Sequence, residues 1–290
     1  MSQATKEFIL QCESLYEKQM QTLLQTVCST PSLRLLMVAG PSCSGKTTTT
    51  TKLLSGLHER GLTAHMLSID DFFLEEDAMP RRADGKPDYE AFESFDLVRL
   101  RTCIRELLDG KETHIPRFDF SDGYRSDAHT TLTLPADGLL IIEGLHALNP
   151  AIYKDIVKRE AVYGIFLECT SDAPYPLPCI PRFLRRLVRD NKFRRADAVL
   201  TFYLWDNVLE GEKKYIYPFI EKADTRINTF FAYEAGVLCK DAIRILSELP
   251  QAHPARPTAM SLLRALEDIS PIDPALVPPD SLICEFIGHP

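Results

Sequence analysis

Four short apolar runs mark the first 170 residues: LRLLMVA (33–39), TAHMLSI (63–69), GLLIIE (138–143) and VYGIFLE (162–168). Each is shorter than an ordinary helix and rich in aliphatic side chains, which predicts buried β-strands. Helical spacing fills most of the intervals between them. Strands alternating with helices predict an α/β fold, a mostly parallel sheet flanked by helices and wound by right-handed crossovers. Upstream, Phe8, Ile9, Leu15, Leu23, Leu24 and Val27 form a helical stripe over 5–29 that should pack onto this domain. Residues 74–92 are polar and rich in turn formers, predicting a mobile flap. A hairpin-like pair, THIPRFDF (113–120) and TTLTL (130–134), precedes the third strand. Helical patterns return at 181–210 and 231–248, and the Pro-rich stretch 250–290 holds one short helix near 259–268. The predicted organisation is an N-terminal helix (1–30), one α/β domain (31–248) and a C-terminal extension packed on it (249–290).

In parallel sheets, ligands gather at the carboxyl ends of the strands, and this chain concentrates its chemistry there. The first strand runs into GPSCSGKT (40–47), a full match to the phosphate-binding pattern G-x-x-x-x-G-K-[ST]. Gly40 and Gly45 permit a tight turn that aims amide N–H groups at phosphate oxygens, with Ser42, Ser44 and Thr48 completing the cradle. Lys46 can reach the β- and γ-phosphates, and the Thr47 hydroxyl can hold Mg²⁺. The next helix, TTTTTKLLSGLHERG (47–61), ends at Gly61 and brings the positive end of its dipole to the same place. A threonine run is a poor helix former, so tertiary packing and bound phosphate are expected to hold that turn.

The second strand leads into Asp70 and Asp71, and the third ends at Glu143. An acid facing the loop could take a proton from an attacking hydroxyl or help hold Mg²⁺. Capping of the next turn is the alternative for the aspartates, and bonding to neighbouring amides for Glu143. Residues 181–195 hold seven Lys or Arg in fifteen positions. Arg182, Arg185, Arg186 and Arg189 recur at helical spacing with no interleaved Glu. That strip predicts a lid, about 181–197, that closes over the γ-phosphate and spreads its charge.

Composition narrows the classes. With 45% hydrophobic and 26% charged residues the 290-residue chain is an ordinary globular protein, and no apolar run nears the ~18 residues of a membrane span. Lys6, Glu7 and Glu13 break the N-terminal stripe, so no signal peptide is expected and a cytoplasmic location is. A net charge of −8 argues against nucleic-acid polymers and membrane surfaces as partners. The eight cysteines (12, 28, 43, 103, 169, 179, 239, 284) lack C-x-x-C spacing and read as reduced thiols, mostly packed in the core. Cys43 lies inside the loop near a helix N-terminus, where a thiol is either activated or simply space-filling.

From about residue 33 onward the chain resembles the uridine kinase and phosphoribulokinase family of P-loop kinases. The segments that carry the resemblance are GPSCSGKT, SIDDFF (68–73), PDYEAFESFDL (87–97), IPRFDFSDGYR (115–125), LLIIEGLHALNP (139–150), RRLVRDNKFRR (185–195) and YIYPFIEKAD (215–224). It is most similar to bacterial nucleoside-kinase-like members, and SLICEFIGHP (281–290) also resembles their closing segment. The resemblance implies a P-loop fold with a helical lid and a small β-hairpin at the acceptor side. It also implies that Asp70 activates the acceptor hydroxyl, Asp88 holds ribose hydroxyls, and Glu143 serves the metal with Thr47 and Asp70. Lys46, Arg185, Arg186 and Arg189 would then serve transfer, with Phe118 and Arg125 on the acceptor side. The departure is in that pocket: where uridine kinases carry Tyr and His, this chain has Phe118 and Gly123. A site that reads a base by hydrogen bonds loses discrimination when they go. Phe118 either stacks on a base or packs in the core.

The expected function is Mg²⁺-dependent phosphoryl transfer from ATP or GTP to a primary hydroxyl of a nucleoside, with a sugar or sugar phosphate as the alternative acceptor. Self-association as a homo-oligomer is compatible with the sequence. A GTPase switch would need an N/T-K-x-D motif, and the nearest string, EKAD (221–224), begins with Glu221. A nucleotide sensor without catalysis is opposed by the intact set of Lys46, Thr47, Asp70 and the arginines.

Overall fold

The computed structural model describes residues 3–119, 123–171 and 180–289, the side chains at 127 and 128 excepted. Cys179, the 120–122 part of the hairpin motif and the terminal residues 1, 2 and 290 lie outside the described residues. In chain order the elements are α1 (Gln3–Cys28), β1 (Leu35–Ala39), α2 (Lys46–Glu59), β2 (Ala64–Ser68), α3 (Leu97–Leu108), β3 (Thr113–Asp119), β4 (Tyr124–Leu132) and β5 (Leu139–Glu143). There follow β6 (Val162–Glu168), α4 (Ile180–Arg194), α5 (Ala198–Gly211), β7 (Thr225–Asn228), α6 (Glu234–Ser247), α7 (Arg256–Glu267) and α8 (Cys284–Ile287).

The main sheet has the order β2-β5-β1-β6-β7, and every pairing in it is parallel. β1 and β5 are buried along their whole length, as continuous aliphatic runs covered on both faces require. Register pairs Glu143 with both Val38 and Ser68, so β1, β2 and β5 end at one level. β3 and β4 form a separate antiparallel hairpin.

Two apolar layers sandwich the sheet. One joins α1, α2 and the C-terminal segment through Leu24, Leu53, Phe231, Leu282 and Phe286. The other joins α3 and the hairpin through Phe72, Ile104, Ile115 and Phe118. A third cluster binds α4, α5, α6 and α7 to one another.

Three expectations need adjustment. Along α1 the buried stripe is Ile9, Cys12, Tyr16, Met20, Leu23, Leu24 and Val27, while Phe8 and Leu15 are 41% and 63% exposed. The true stripe passes through Cys12, Tyr16 and Met20, whose apolar character a scan for aliphatic residues overlooks. The helical stretch 181–210 is two helices, because Arg195 adopts a left-handed φ of 55° and Asp197 then caps α5 by accepting the Leu200 amide at 2.8 Å. The short C-terminal helix begins earlier than expected, at Arg256, with Pro257 in its first turn. The 74–92 segment carries a short 3₁₀ turn at Glu76–Ala78 and a bridge between Arg81 and Pro87.

The predicted threonine turn is held by neighbours. Thr49 and Thr50 are buried, and Thr49 shares a 2.9 Å hydrogen bond with the Tyr16 hydroxyl of α1.

Candidate active site

The loop between β1 and α2 is shaped by close approaches that only glycine allows. A Cβ on Gly40 would lie 2.6 Å from Ser44 Oγ and 2.7 Å from the Leu167 carbonyl. Gly45 caps α2 at φ 78°, and its Cβ would lie 2.4 Å from Leu282 Cδ1. The first-turn amides of α2 have no intrahelical acceptors and point toward the loop's concavity. Lys46 Nζ bonds the Pro41 carbonyl at 3.2 Å, and the buried Ser44 Oγ has no hydrogen-bond partner. Cationic, amide-lined and sterically open, the cradle fits a polyphosphate.

Above it lies a cavity of about 790 Å³ lined by Ser42, Cys43, Gly45, Lys46, Thr47, Asp70, Glu143, Leu145, Arg186, Arg189, Arg194 and Glu285. Asp70, on the 3₁₀ turn that follows β2, faces this cavity. Loss of water raises its carboxyl above the usual aspartate range, Lys46 pulls it back and Asp71 pushes it further. Asp71 turns to the hairpin instead, where the Phe118 backbone and Arg117 favour its charge against burial. Glu143 accepts a 2.7 Å hydrogen bond from Ser68 Oγ, and burial and the charge of Asp70 raise its carboxyl. Among the described residues no group of three or more His, Cys, Asp or Glu side chains is arranged to hold a metal ion. Two carboxylates and a hydroxyl match what Mg²⁺ takes from a protein when phosphates and water supply the rest.

The α4 arginines divide between two tasks. Arg186 and Arg189 line the cavity, and Arg186 also donates to Ser42 Oγ at 3.1 Å. Arg185 does not line it. Fully buried, it pairs with Glu234 at 2.6 Å and donates to the carbonyls of Cys43 and Thr229 at 3.2 and 2.6 Å. Arg182 acts likewise, pairing with buried Glu212 at 2.6 Å and donating to the Ser42 carbonyl at 3.0 Å. Three arginines, 186, 189 and 194, contact the single carboxylate of Asp190. Cys43 is buried, and its left-handed φ of 61° belongs to the loop's turn.

On the acceptor side the expected residues scatter. Phe118 is 5% exposed and packs on Phe73 at 5.5 Å between ring centroids, so it is a core residue. Arg125 is held away from the cavity by Asp96 at 2.8 Å and by the Phe73 carbonyl at 3.2 Å. Asp88 lines a second cavity of about 350 Å³ with Glu90, Lys214 and Tyr215, and its Oδ1 accepts the Glu90 amide at 3.1 Å.

Four residues of this region were missed in the sequence. Glu90 lines the second cavity; burial raises its carboxyl to about 7, opposed by Arg186 and Lys46 and reinforced by Glu212. His146 is 2% exposed inside a ring of Phe92, Phe95 and Tyr215. Neither of its nitrogens forms a well-made hydrogen bond, and burial holds its pKa near 4. Arg194 and Glu285 line the phosphate cavity. Glu90, His146, Arg194 and Glu285 sit inside PDYEAFESFDL, LLIIEGLHALNP, RRLVRDNKFRR and SLICEFIGHP, so each segment carried a signal although the residue itself did not stand out.

A parallel sheet with a glycine-bounded phosphate loop, an acid at the next strand tip and an arginine-bearing helix is a kinase-type P-loop NTPase fold. The model of the Phosphoribulokinase / Uridine kinase family matches residues 35–232. The chain belongs to that family and is an enzyme of the kinase class. A uridine kinase of Macrococcus caseolyticus (strain JCSC5402) is 28% identical over 189 residues, covering 62% of this chain and 84% of its own. A uridine kinase of Staphylococcus aureus (strain JH9) gives the same figures. Among solved structures, a possible uridine kinase from Bacillus stearothermophilus aligns over 73% of this chain and 98% of its own, at 20% identity and a TM-score of 0.49. Among the described residues no helix is long and apolar enough to cross a membrane.

Proposed function

We propose that this enzyme transfers the γ-phosphoryl group of ATP or GTP, with Mg²⁺, to a primary hydroxyl of a nucleoside. The observation that carries the reading is that Asp70 lines the same cavity as Lys46 and Thr47. The nucleotide and its metal would supply the transferable group and neutralise part of its charge. Lys46 and the amides of 42–48 would bind the phosphates, and Thr47, Glu143 and Asp70 are the residues that would hold the metal. Asp70 orients the acceptor hydroxyl and receives its proton as the new O–P bond forms and the γ-phosphorus bond to the bridging oxygen breaks, releasing the nucleoside diphosphate. Arg186 and Arg189 offset the negative charge that spreads over the transferred oxygens. Arg185, in this assignment, acts behind the loop by fixing the Cys43 carbonyl. Glu90, facing Arg186 and Lys46, takes over the acceptor-hydroxyl role expected of Asp88.

A sugar or sugar phosphate acceptor is the second reading. It is favoured by the burial of Phe118 in the core, which removes it as a reader of bases. A panel of nucleosides, sugars and sugar phosphates, assayed for ATP and GTP consumption with Mg²⁺, separates the two. A nucleoside should raise consumption well above background. Stimulation by a sugar phosphate alone would refute the nucleoside assignment.

A further inference from the structure

Beyond the transfer chemistry, one carboxylate in the phosphate cavity has no task. Glu285 comes from the far end of the chain, yet its Oε2 accepts a 2.7 Å hydrogen bond from Thr48 Oγ1 in the first turn of α2. It lines the same cavity as Lys46 and Thr47. Its Oε1 accepts no hydrogen bond among the described residues.

The segment that carries it is firmly seated. Leu282 packs on Gly45, and Phe286 is fully buried with the Arg185 guanidinium 5.0 Å from its ring. Ser281 Oγ donates to Glu13 Oε1 of α1 at 2.5 Å and shares a 3.0 Å hydrogen bond with the Tyr233 hydroxyl. Lys192 of α4 reaches the Ile287 carbonyl at 3.4 Å. The carboxylate is therefore positioned by the loop, the lid helix and the N-terminal helix together.

An acid here poses an electrostatic puzzle. The cavity's other two carboxylates, Asp70 and Glu143, are assigned to the acceptor and the metal, whereas an unassigned carboxylate only repels phosphate. Arg185 and Arg189 already act on its charge, and its free Oε1 can still accept from a ligand's hydrogen-bond donors. The direction of the bound chain says which. In a phosphate loop of this pattern the lysine serves the β- and γ-phosphates, so with the γ-phosphate toward Lys46 and Asp70 the triphosphate would run along the α2 N-terminus toward Thr48. Beyond the α-phosphate of a nucleoside triphosphate comes the ribose, with two vicinal hydroxyl donors. An acid that accepts from ribose hydroxyls is the established solution in dinucleotide-binding folds.

Resting on the reading of this cavity as the triphosphate site, we propose that Glu285 accepts hydrogen bonds from the ribose hydroxyls of the phosphate donor, making the C-terminal segment a donor-selecting part of the active site. It selects ribonucleoside over deoxyribonucleoside triphosphates.

The test is calorimetric binding to the full chain, with Mg²⁺ and without an acceptor. The ligands are ATP, 2′-deoxy-ATP, 3′-deoxy-ATP and tripolyphosphate, which lacks a sugar. Wild type should bind ATP roughly tenfold more tightly than at least one deoxy analogue, the scale of a hydrogen bond to a charged group. Glu285→Ala should lose that preference through weaker ATP binding, with tripolyphosphate affinity unchanged. Glu285→Gln, which keeps shape and one acceptor oxygen, should fall between. Equal binding of all three nucleotides by wild type would overturn the proposal. So would a parallel loss of tripolyphosphate binding in Glu285→Ala, which would make the residue structural. Tighter ATP binding by Glu285→Ala would also overturn it and recast the segment as a gate. Failure of wild type to bind even tripolyphosphate would instead bring down the phosphate-loop reading itself.

Discussion

Glu90 gives the sharpest quantitative prediction, because its ionisation is coupled to the fold. Burial raises its carboxyl from 4.5 to about 7. A carboxyl raised in the folded state is stabilising, relative to its ionised form, only while protonated. The penalty is absent below pH 4.5, grows as pH rises and is complete above about 7. The shift corresponds to about 3 kcal/mol at roughly 1.4 kcal/mol per unit. Glu90→Gln removes the titration while keeping size and hydrogen-bonding capacity. Urea unfolding at pH 5 and pH 8 should show the variant gaining on wild type by about 2–3 kcal/mol between those two pH values. If the stability difference stays constant across that range, Glu90 is ionised at ordinary pH and the burial argument fails. The same substitution should weaken acceptor KM far more than ATP KM, because Glu90 also lines the second cavity with Asp88 and Tyr215.

Asp70→Asn should lower kcat by roughly 10²–10⁴ while leaving ATP affinity nearly intact, as loss of a general base does; turnover within tenfold of wild type would move the proton-accepting role elsewhere. Because burial raises the Asp70 carboxyl, the same variant should unfold at higher temperature than wild type at pH 7, by differential scanning calorimetry. Arg185→Ala and Arg186→Ala should part company despite their adjacency. The first leaves buried Glu234 without its ion-pair partner and should cost about 3–5 kcal/mol of stability, read by urea unfolding. The second should cost under about 1 kcal/mol in stability but lower kcat at least tenfold, read by steady-state kinetics.

How much of this was legible in the sequence depended on the range of the interactions involved. The strands at 33–39 and 138–143 were plain because doubly covered strands are uniformly apolar, and the loop was plain because its geometry demands glycine at fixed places. The acid after the second strand followed from strand-end logic. The arginine strip was seen as one unit, however, and periodicity could not tell which guanidiniums would find buried acids. Glu212 and Glu234 lie 30 and 49 positions away from their partners. Asp88 and Glu90 alternate along one short segment, so only its three-dimensional course decides which approaches Lys46. Phe118 carried no mark of core or pocket until Phe73 was seen against it. Glu285 lies 237 positions from Thr48, beyond the reach of any local pattern.

The two anchored arginines constrain how the enzyme can move. Arg182 and Arg185 fasten the first half of α4 to carbonyls of the very loop that would grip the phosphates. A swing of the whole helix would tear two buried ion pairs and drag the loop with it. The second half is tied as well, by Lys192 to Asp241 and by Asn191 to Arg244. So α4 is a fixed wall of the site, and accommodation of an incoming substrate falls to side chains such as Arg189 and Arg194 or to other elements.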